Sequence, residues 1–453
     1  MGGFFVPNAQ AAITNLTLTD PLGSEEWRGT QNITWTQIGG VSGDVVSILL
    51  STDGGLNYNN LVTGVDVTLG TYPWTTGTLN GSTYKIKIAD PATTIAFESA
   101  SNFLVDNTAP VTTIALAPIA PDGLGSWYIT VPTITLSCSD ALSGCLAGGI
   151  KYRWDGVPGW NTYTVPFVAP QGIHILEWYS EDQAEDALGA HNVETVQTQI
   201  IKVDTLAPTV AVTSTTFPGA YNAGEAINVT LTFSEAASST APLLVTLDTG
   251  GTCSIPTFSN QTIVSCSYTV GAGENSSGLI VSSLTGATVE DIAGNDSTLI
   301  PTPNIDTTFP IVIDTIAPSA FIVGGVNTTS IPLPGVASYW NGTDADAFVL
   351  VPIANDSSLV GGTMQLQANV GAGYVNVGPA NEILVTELGF NISYPLTDAQ
   401  LEAIPGFSDG DSITFTAIIT DRAGNVTTGT PSATALTVDQ TVPSVDAGTD
   451  KIV

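Results

Sequence analysis

Four aspartates recur in one setting. Asp106, Asp204, Asp314 and Asp439 stand in the stretches "VDNTAP" (105–110), "VDTLAP" (203–208), "IDTIAP" (313–318) and "VDQTVP" (438–443). A second acidic set precedes these stretches: Asp291 in "DIAGN", Asp421 in "DRAGN", and Asp182 in the expanded "SEDQAEDALGAHN". Hard cations take several carboxylate and carbonyl oxygens from loops that can curl around the ion, so the two sets are candidate calcium ligands if their loops meet at one pole. Asp140, Glu235, Asp344 and Asp346 offer further oxygens from strand-end loops. The same residues also suit plain turns, because Asp and Asn cap tight loops and Gly takes positive φ. With no dense D-x-D-x-D-G loop, the sequence leaves both readings, ion and cap, open.

The four cysteines fall into two local pairs, Cys138 with Cys145 and Cys253 with Cys266, each inside one interval between the repeated stretches. That arrangement suits intradomain disulfides of an exported protein; the alternative is buried free thiols. Neither pair has C-x-x-C spacing and His174 and His191 are remote from both, which argues against zinc. Neither G-x-S-x-G nor H-E-x-x-H occurs, so no triad or zincin is visible, and the chain reads as non-catalytic.

Charge narrows the partners. Asp and Glu number 41 against 8 Lys and Arg, a net charge of -33, which cannot neutralise a run of phosphates and so excludes nucleic acid. It also argues against docking on anionic lipid. No run of apolar residues is long enough to span a bilayer, so direct membrane insertion is not expected.

These residues need strands to place them, and the chain supplies them. "DVVSILLSTDGG" alternates Val46, Ile48 and Leu50 inward before a turn, and "TYKIKIAD" sets Tyr84, Ile86 and Ile88 against Lys85 and Lys87. "IKYRWDG" does the same with Ile150, Tyr152 and Trp154, "INVTLTFSEA" with Ile227, Val229, Leu231 and Phe233, and "SITFTAIITD" with Ile413, Phe415, Ala417 and Ile419. Short alternating strands with frequent turns mean an all-β chain of sandwiches. The one helical hint is "LTDAQLEAIPG" (396–406). The proline of each repeated stretch cannot donate a ladder bond and ends one sheet before the next begins. The expected division is therefore 1–11, a leader remnant (Ala9-Gln10-Ala11 has the A-x-A form) or an N-terminal strand; domains at 12–106, 107–204, 205–314 and 315–439; and 440–453, the first strand of a further domain or a donor strand.

The "D-x-AGN" turns and "(V/I)D-T-x-AP" junctions resemble the tandem immunoglobulin-like domains of large bacterial and archaeal surface proteins. The third interval, from "GAYNAGEAINVTLTFSEA" to "IDTIAP", carries the fullest likeness, and "CSDALSGC" with "YRWDG" is similar to another such module. The first interval, with "EEWRGTQNITWT", resembles the Ser/Thr-rich cell-wall module of fungal glucan-assembly proteins. The resemblance implies tandem Ig-like or fibronectin-III-like sandwiches in an elongated chain. It further implies an extracellular location, junctions stiffened by calcium at the aspartates named above, and copies of the chain or neighbouring Ig-like domains as partners.

N-x-S/T sequons are abundant: Asn15, Asn32, Asn80, Asn228, Asn260, Asn275, Asn295, Asn327, Asn341, Asn355, Asn391 and Asn425 are candidate glycan sites. The expected function is a structural or adhesive component of a surface fibre. Two alternatives stand beside it. One is a carbohydrate-binding or wall-docking array for cell-wall or host polysaccharide, using Trp27, Trp74, Trp160 and Trp340; the other is a set of accessory domains of a larger exported enzyme. Lys85, Lys87, Lys151 and Lys202 face outward by alternation, which argues against isopeptide cross-links.

Overall fold

The computed structural model describes residues 12–330, 338–342, 344–442 and 444. The expected leader remnant at 1–11 and nearly all of the tail beyond 442 lie outside the described residues. The chain is almost entirely β, with a single short α-helix at Asp398–Glu402, capped by Thr397. No helix among the described residues is long and apolar enough to cross a membrane. The chain consists of tandem β-sandwich domains. Two compact units are distinguished: the described residues up to Leu206 together with Ala293–Asn295, and Ala207–Ile292 together with Asp296 onward.

In the first unit, alternation builds two separate cores. Strands Asn15–Asp20, Thr30–Ile38 and Thr71–Thr75 form one sheet. Strands Val45–Ser51, Asn59–Asp66, Gly81–Ala89 and Phe103–Val105 form the facing one. Between them Leu16, Leu18, Ile33, Trp35, Ile48, Ile86, Ile88 and Phe103 are buried, each such side chain stabilising by about 1.5–3 kcal/mol. The next core gathers Tyr128, Ile134, Leu136, Leu176, Trp178 and Ile201. It lies between the sheet of Val111–Ala117, Thr133–Ser139 and Phe167–Val168 and the sheet of Asn161–Thr162, Lys151–Trp154, Gly172–Tyr179 and Gln197–Val203.

The second unit repeats this scheme. Ile227, Val229, Leu231 and Phe233 line the inner face of strand Ala226–Ser239 and pack on Val245, Ile255, Tyr268 and Val281. Strand Ser412–Thr420 likewise buries Ile413, Phe415, Ala417 and Ile419 against Val349, Val351, Leu366 and Leu396. Both disulfides are present, Cys138–Cys145 and Cys253–Cys266, the latter pair within the core of its domain.

Each core shares one detail at its exit. The aliphatic residue of every repeated stretch pairs in parallel with an aromatic residue: Val105 with Trp27, Val203 with Tyr128, Ile313 with Tyr221, and Val438 with Trp340. The following aspartate then donates its backbone N–H to the carbonyl of that aromatic residue. These bonds run from Asp106 to Trp27 (2.8 Å), Asp204 to Tyr128 (2.9 Å), Asp314 to Tyr221 (2.9 Å) and Asp439 to Trp340 (2.9 Å). The repeated stretch thus begins as a strand end and leaves the sheet at the aspartate.

Candidate metal centre

The junction between the first two cores is built by the expanded turn. "SEDQAEDALGAHN" folds as a hairpin, Glu181–Glu185 with His191–Val193, which adds in parallel, through Glu185 and Trp27, to the edge of the first domain's sheet that holds Phe103–Val105. Arg28 binds the hairpin through its Nε to Asn192 Oδ1 (2.7 Å) and through its Nη1 to the Ala190 carbonyl (2.9 Å). Gln31 Nε2 donates to the Glu185 carbonyl at 2.5 Å, and Ala187 N–H to Thr30. Edge pairing satisfies backbone groups that would otherwise be exposed, so the hairpin ties two domains with main-chain bonds.

At this hairpin the structure brings together Asp106, Asp140 and Asp182, with one carboxylate oxygen of each within 4.8 Å of the others. Asp106 and Asp182 are fully buried, and Asp140 is half-buried. Asp106 accepts from Ser143 N–H (3.1 Å) and Oγ (2.9 Å) and caps the Thr108 N–H (2.9 Å). Asp140 accepts from Leu142 and Gly144 (both 2.9 Å), inside the loop closed by Cys138–Cys145. Asp182 accepts from Asn192 N–H (3.2 Å) and Nδ2 (2.7 Å). Burial raises the Asp182 pKa against these two bonds, and the charges of Asp106 and Asp140 raise it further. Glu26, on the edge strand of the first domain, is also raised, first by burial and then by Asp182 and Asp106. An all-oxygen donor set of buried, mutually repelling carboxylates fits a hard divalent cation.

Asp204 and Asp314 cap Leu206 (3.1 Å) and Ile316 (3.0 Å) two residues on, as a plain turn requires. Asp421 is buried and accepts from Ala423, Asn425 N–H and Asn425 Nδ2, all at 2.9 Å. Asp291 is buried, and Glu235 is half-buried on strand Ala226–Ser239. Among the described residues Asp314, Asp421 and Asp439 join no group of three ion-competent side chains. Asp346 is half-buried; the side chain of Asp344 lies outside the described residues.

What the sequence reading missed is the asparagine closing each turn. Asn192, Asn295 and Asn425 each donate Nδ2 to the backbone carbonyl of a linker aspartate: Asp106 (3.0 Å), Asp204 (3.0 Å) and Asp314 (2.9 Å). The signal was present in the fixed order of turn aspartate and asparagine. For Asn295 and Asn425 the engaged nitrogen is the atom a glycan would take. Sequons Asn15, Asn32, Asn80, Asn260, Asn275, Asn327, Asn355 and Asn391 are exposed, while Asn228 and Asn341 are half-buried. The tryptophan expectation needs correction. Trp27, Trp74 and Trp340 are core residues, because two of them hold the parallel strand pairing and Trp74 packs on Trp27 and Phe103. Trp160 alone of the four is partly exposed.

No protein-family model matches the chain, and no curated protein does. Solved structures are similar at low identity. Fibronectin(III)-like modules of Clostridium thermocellum CbhA share 18% identity over 42% of this chain and 94% of theirs, with a TM-score of 0.22. Domains A168–A170 of titin share 10% identity over 73% of this chain and 99% of theirs, at 0.26. Dimeric latent PorU from Porphyromonas gingivalis shares 12% identity over 67% of this chain and 34% of its own, at 0.17.

Proposed function

We propose that this protein is a non-catalytic structural and adhesive component of an extracellular surface fibre, and that calcium stiffens its first domain junction. The observation that carries the reading is the hairpin Glu181–Glu185/His191–Val193. It belongs to one domain, extends the sheet of another, and carries Asp182 to within reach of Asp106 and Asp140. A joint made of shared sheet and buried carboxylates suits the transmission of load. Asp106, Asp140 and Asp182 would hold the ion, with Glu26 contributing charge. The ion would replace carboxylate repulsion by attraction, so that calcium binding favours the closed joint.

Two disulfides support an exported protein. Glycans, where the host attaches them, belong to the exposed sequons, since Asn295 and Asn425 are engaged. The burial of Trp27, Trp74 and Trp340 takes away three of the four rings on which the polysaccharide reading relied. Immunogold imaging of the producing cells tests the proposal. Label along surface filaments is expected; label confined to the cell interior contradicts it.

A further inference from the structure

The sheet of Asn161–Thr162, Lys151–Trp154, Gly172–Tyr179 and Gln197–Val203 has an inner face in the core, with Tyr152, Trp154, Leu176, Trp178 and Ile201. Its outer face carries the opposite parity and is more apolar mid-strand than the outer faces of Thr30–Ile38 and Ala226–Ser239. On strand Thr30–Ile38 the outward positions are Thr30, Asn32, Thr34 and Thr36, with Ile38 at the strand end, and on Ala226–Ser239 they include Asn228, Thr230 and Thr232. Here Ile173, Ile175 and Ile200 are 59%, 43% and 62% exposed. Ile175 lies directly across the ladder from Ile200, and Ile173 across from Lys202. Three β-branched apolar side chains thus form one cross-strand patch in water, where threonine would fit the strand equally well.

Charge singles out the same face. Lys151, Arg153 and Lys202 all lie on it, out of only 8 basic residues in a chain of net charge -33. Arg153 pairs with Glu177 at 2.5 Å, and its guanidinium lies over the Trp160 ring at 4.3 Å. Trp160 meets Tyr179 edge-on at 4.7 Å, so the ring is already engaged and is a poor platform for a sugar. Lys151 Nζ donates to the Thr162 hydroxyl (2.9 Å), and Lys202 Nζ donates to the Gly125 carbonyl (3.4 Å) beside Trp127.

We propose that this face docks the acidic surface of a second copy of the chain. The proposal rests on the fibre reading and names one of its contacts. A basic, apolar patch on an otherwise acidic molecule is complementary to the rest of that molecule's surface. Contact between unlike faces is heterologous and propagates from copy to copy instead of closing as a dimer.

Sedimentation velocity on the full chain at about 20 mM and about 500 mM salt tests it, because screening weakens exposed charge pairs across that range. Lys151→Glu reverses a charge with no ion-pair partner among the described residues, and Ile200→Thr keeps a β-branched residue in its strand. Expected is self-association at low salt that weakens at high salt, and that each substitution weakens at least about tenfold. Variants that associate like the parent overturn this contact while leaving the fibre reading standing. A parent that is monomeric at both salts overturns it as well. So does a monomeric parent retained on polygalacturonate through Lys151, which would make the face a site for anionic polysaccharide.

Discussion

Asn192 Nδ2 donates to the Asp106 carbonyl at 3.0 Å and to the Asp182 carboxylate at 2.7 Å, so one amide joins the last strand end of one domain to the turn of the next. Asn425 repeats the arrangement with Asp314 and Asp421, both at 2.9 Å. Replacing Asn192 by Ala leaves buried acceptors without a donor and takes the Arg28 Nε partner away. A loss of about 1–3 kcal/mol is expected. Urea unfolding checks it; an unchanged midpoint would show that water replaces the amide at no cost.

The carboxylates give a pH dependence of definite sign. Burial, aided by Glu25, raises Asp20 to about 6, and Asp182 and Glu26 are raised by burial and by their acidic neighbours. A raised carboxylate binds its proton more tightly in the folded state. Its contribution is full below the unfolded pKa and is lost as pH rises through the folded one. The contribution of these three groups to the melting temperature of the metal-free protein should therefore be larger near pH 4 than above pH 6, giving a slope opposite to that of the lowered carboxylates such as Asp53 and Asp66. Asp20→Asn should flatten the slope of the three groups, and a variant that melts with the parent's slope would refute the assignment.

The two disulfides should differ in what they support. Chain entropy alone assigns about 2.5 kcal/mol to the bridge of separation 7 and about 3 kcal/mol to that of separation 13. Cys138 and Cys145, however, close the loop that carries Asp140 and Ser143. Their double replacement by Ser should weaken the calcium response, whereas replacing Cys253 and Cys266 should lower stability alone. Calcium-dependent melting of both variants distinguishes the cases, and equal calcium responses would contradict the coupling.

Trp74 offers a check on the polysaccharide alternative. It is 5% exposed and packs against Trp27 and Phe103, so Trp74→Ala should cost about 3–5 kcal/mol. Thermal unfolding measures it, and a variant as stable as the parent would place this ring outside the core.

Alternation made the sandwich strands legible, since Ile227, Val229, Leu231 and Phe233 point inward as their spacing of two requires. The gathering of Asp106 with Asp182 followed from placing both at one pole. Trp27 and Trp340 were misread because each sits on a strand of only two residues, too short for a period to show. Their partners are about a hundred residues or less along the chain, and pairing in parallel over that distance leaves no local pattern. The hairpin that joins the first two domains was hidden for a related reason. Its strand Glu181–Glu185 is mostly polar and finds its partner in another domain, so nothing nearby in sequence announces it.

Calorimetric titration of the full chain with calcium, parent against Asp182→Asn, tests the central claim most directly. If Asp106, Asp140 and Asp182 hold one ion that stiffens the joint, the variant should bind one equivalent fewer and lose part of the calcium-dependent rise in melting temperature. Identical stoichiometry and identical melting in the two proteins would contradict it.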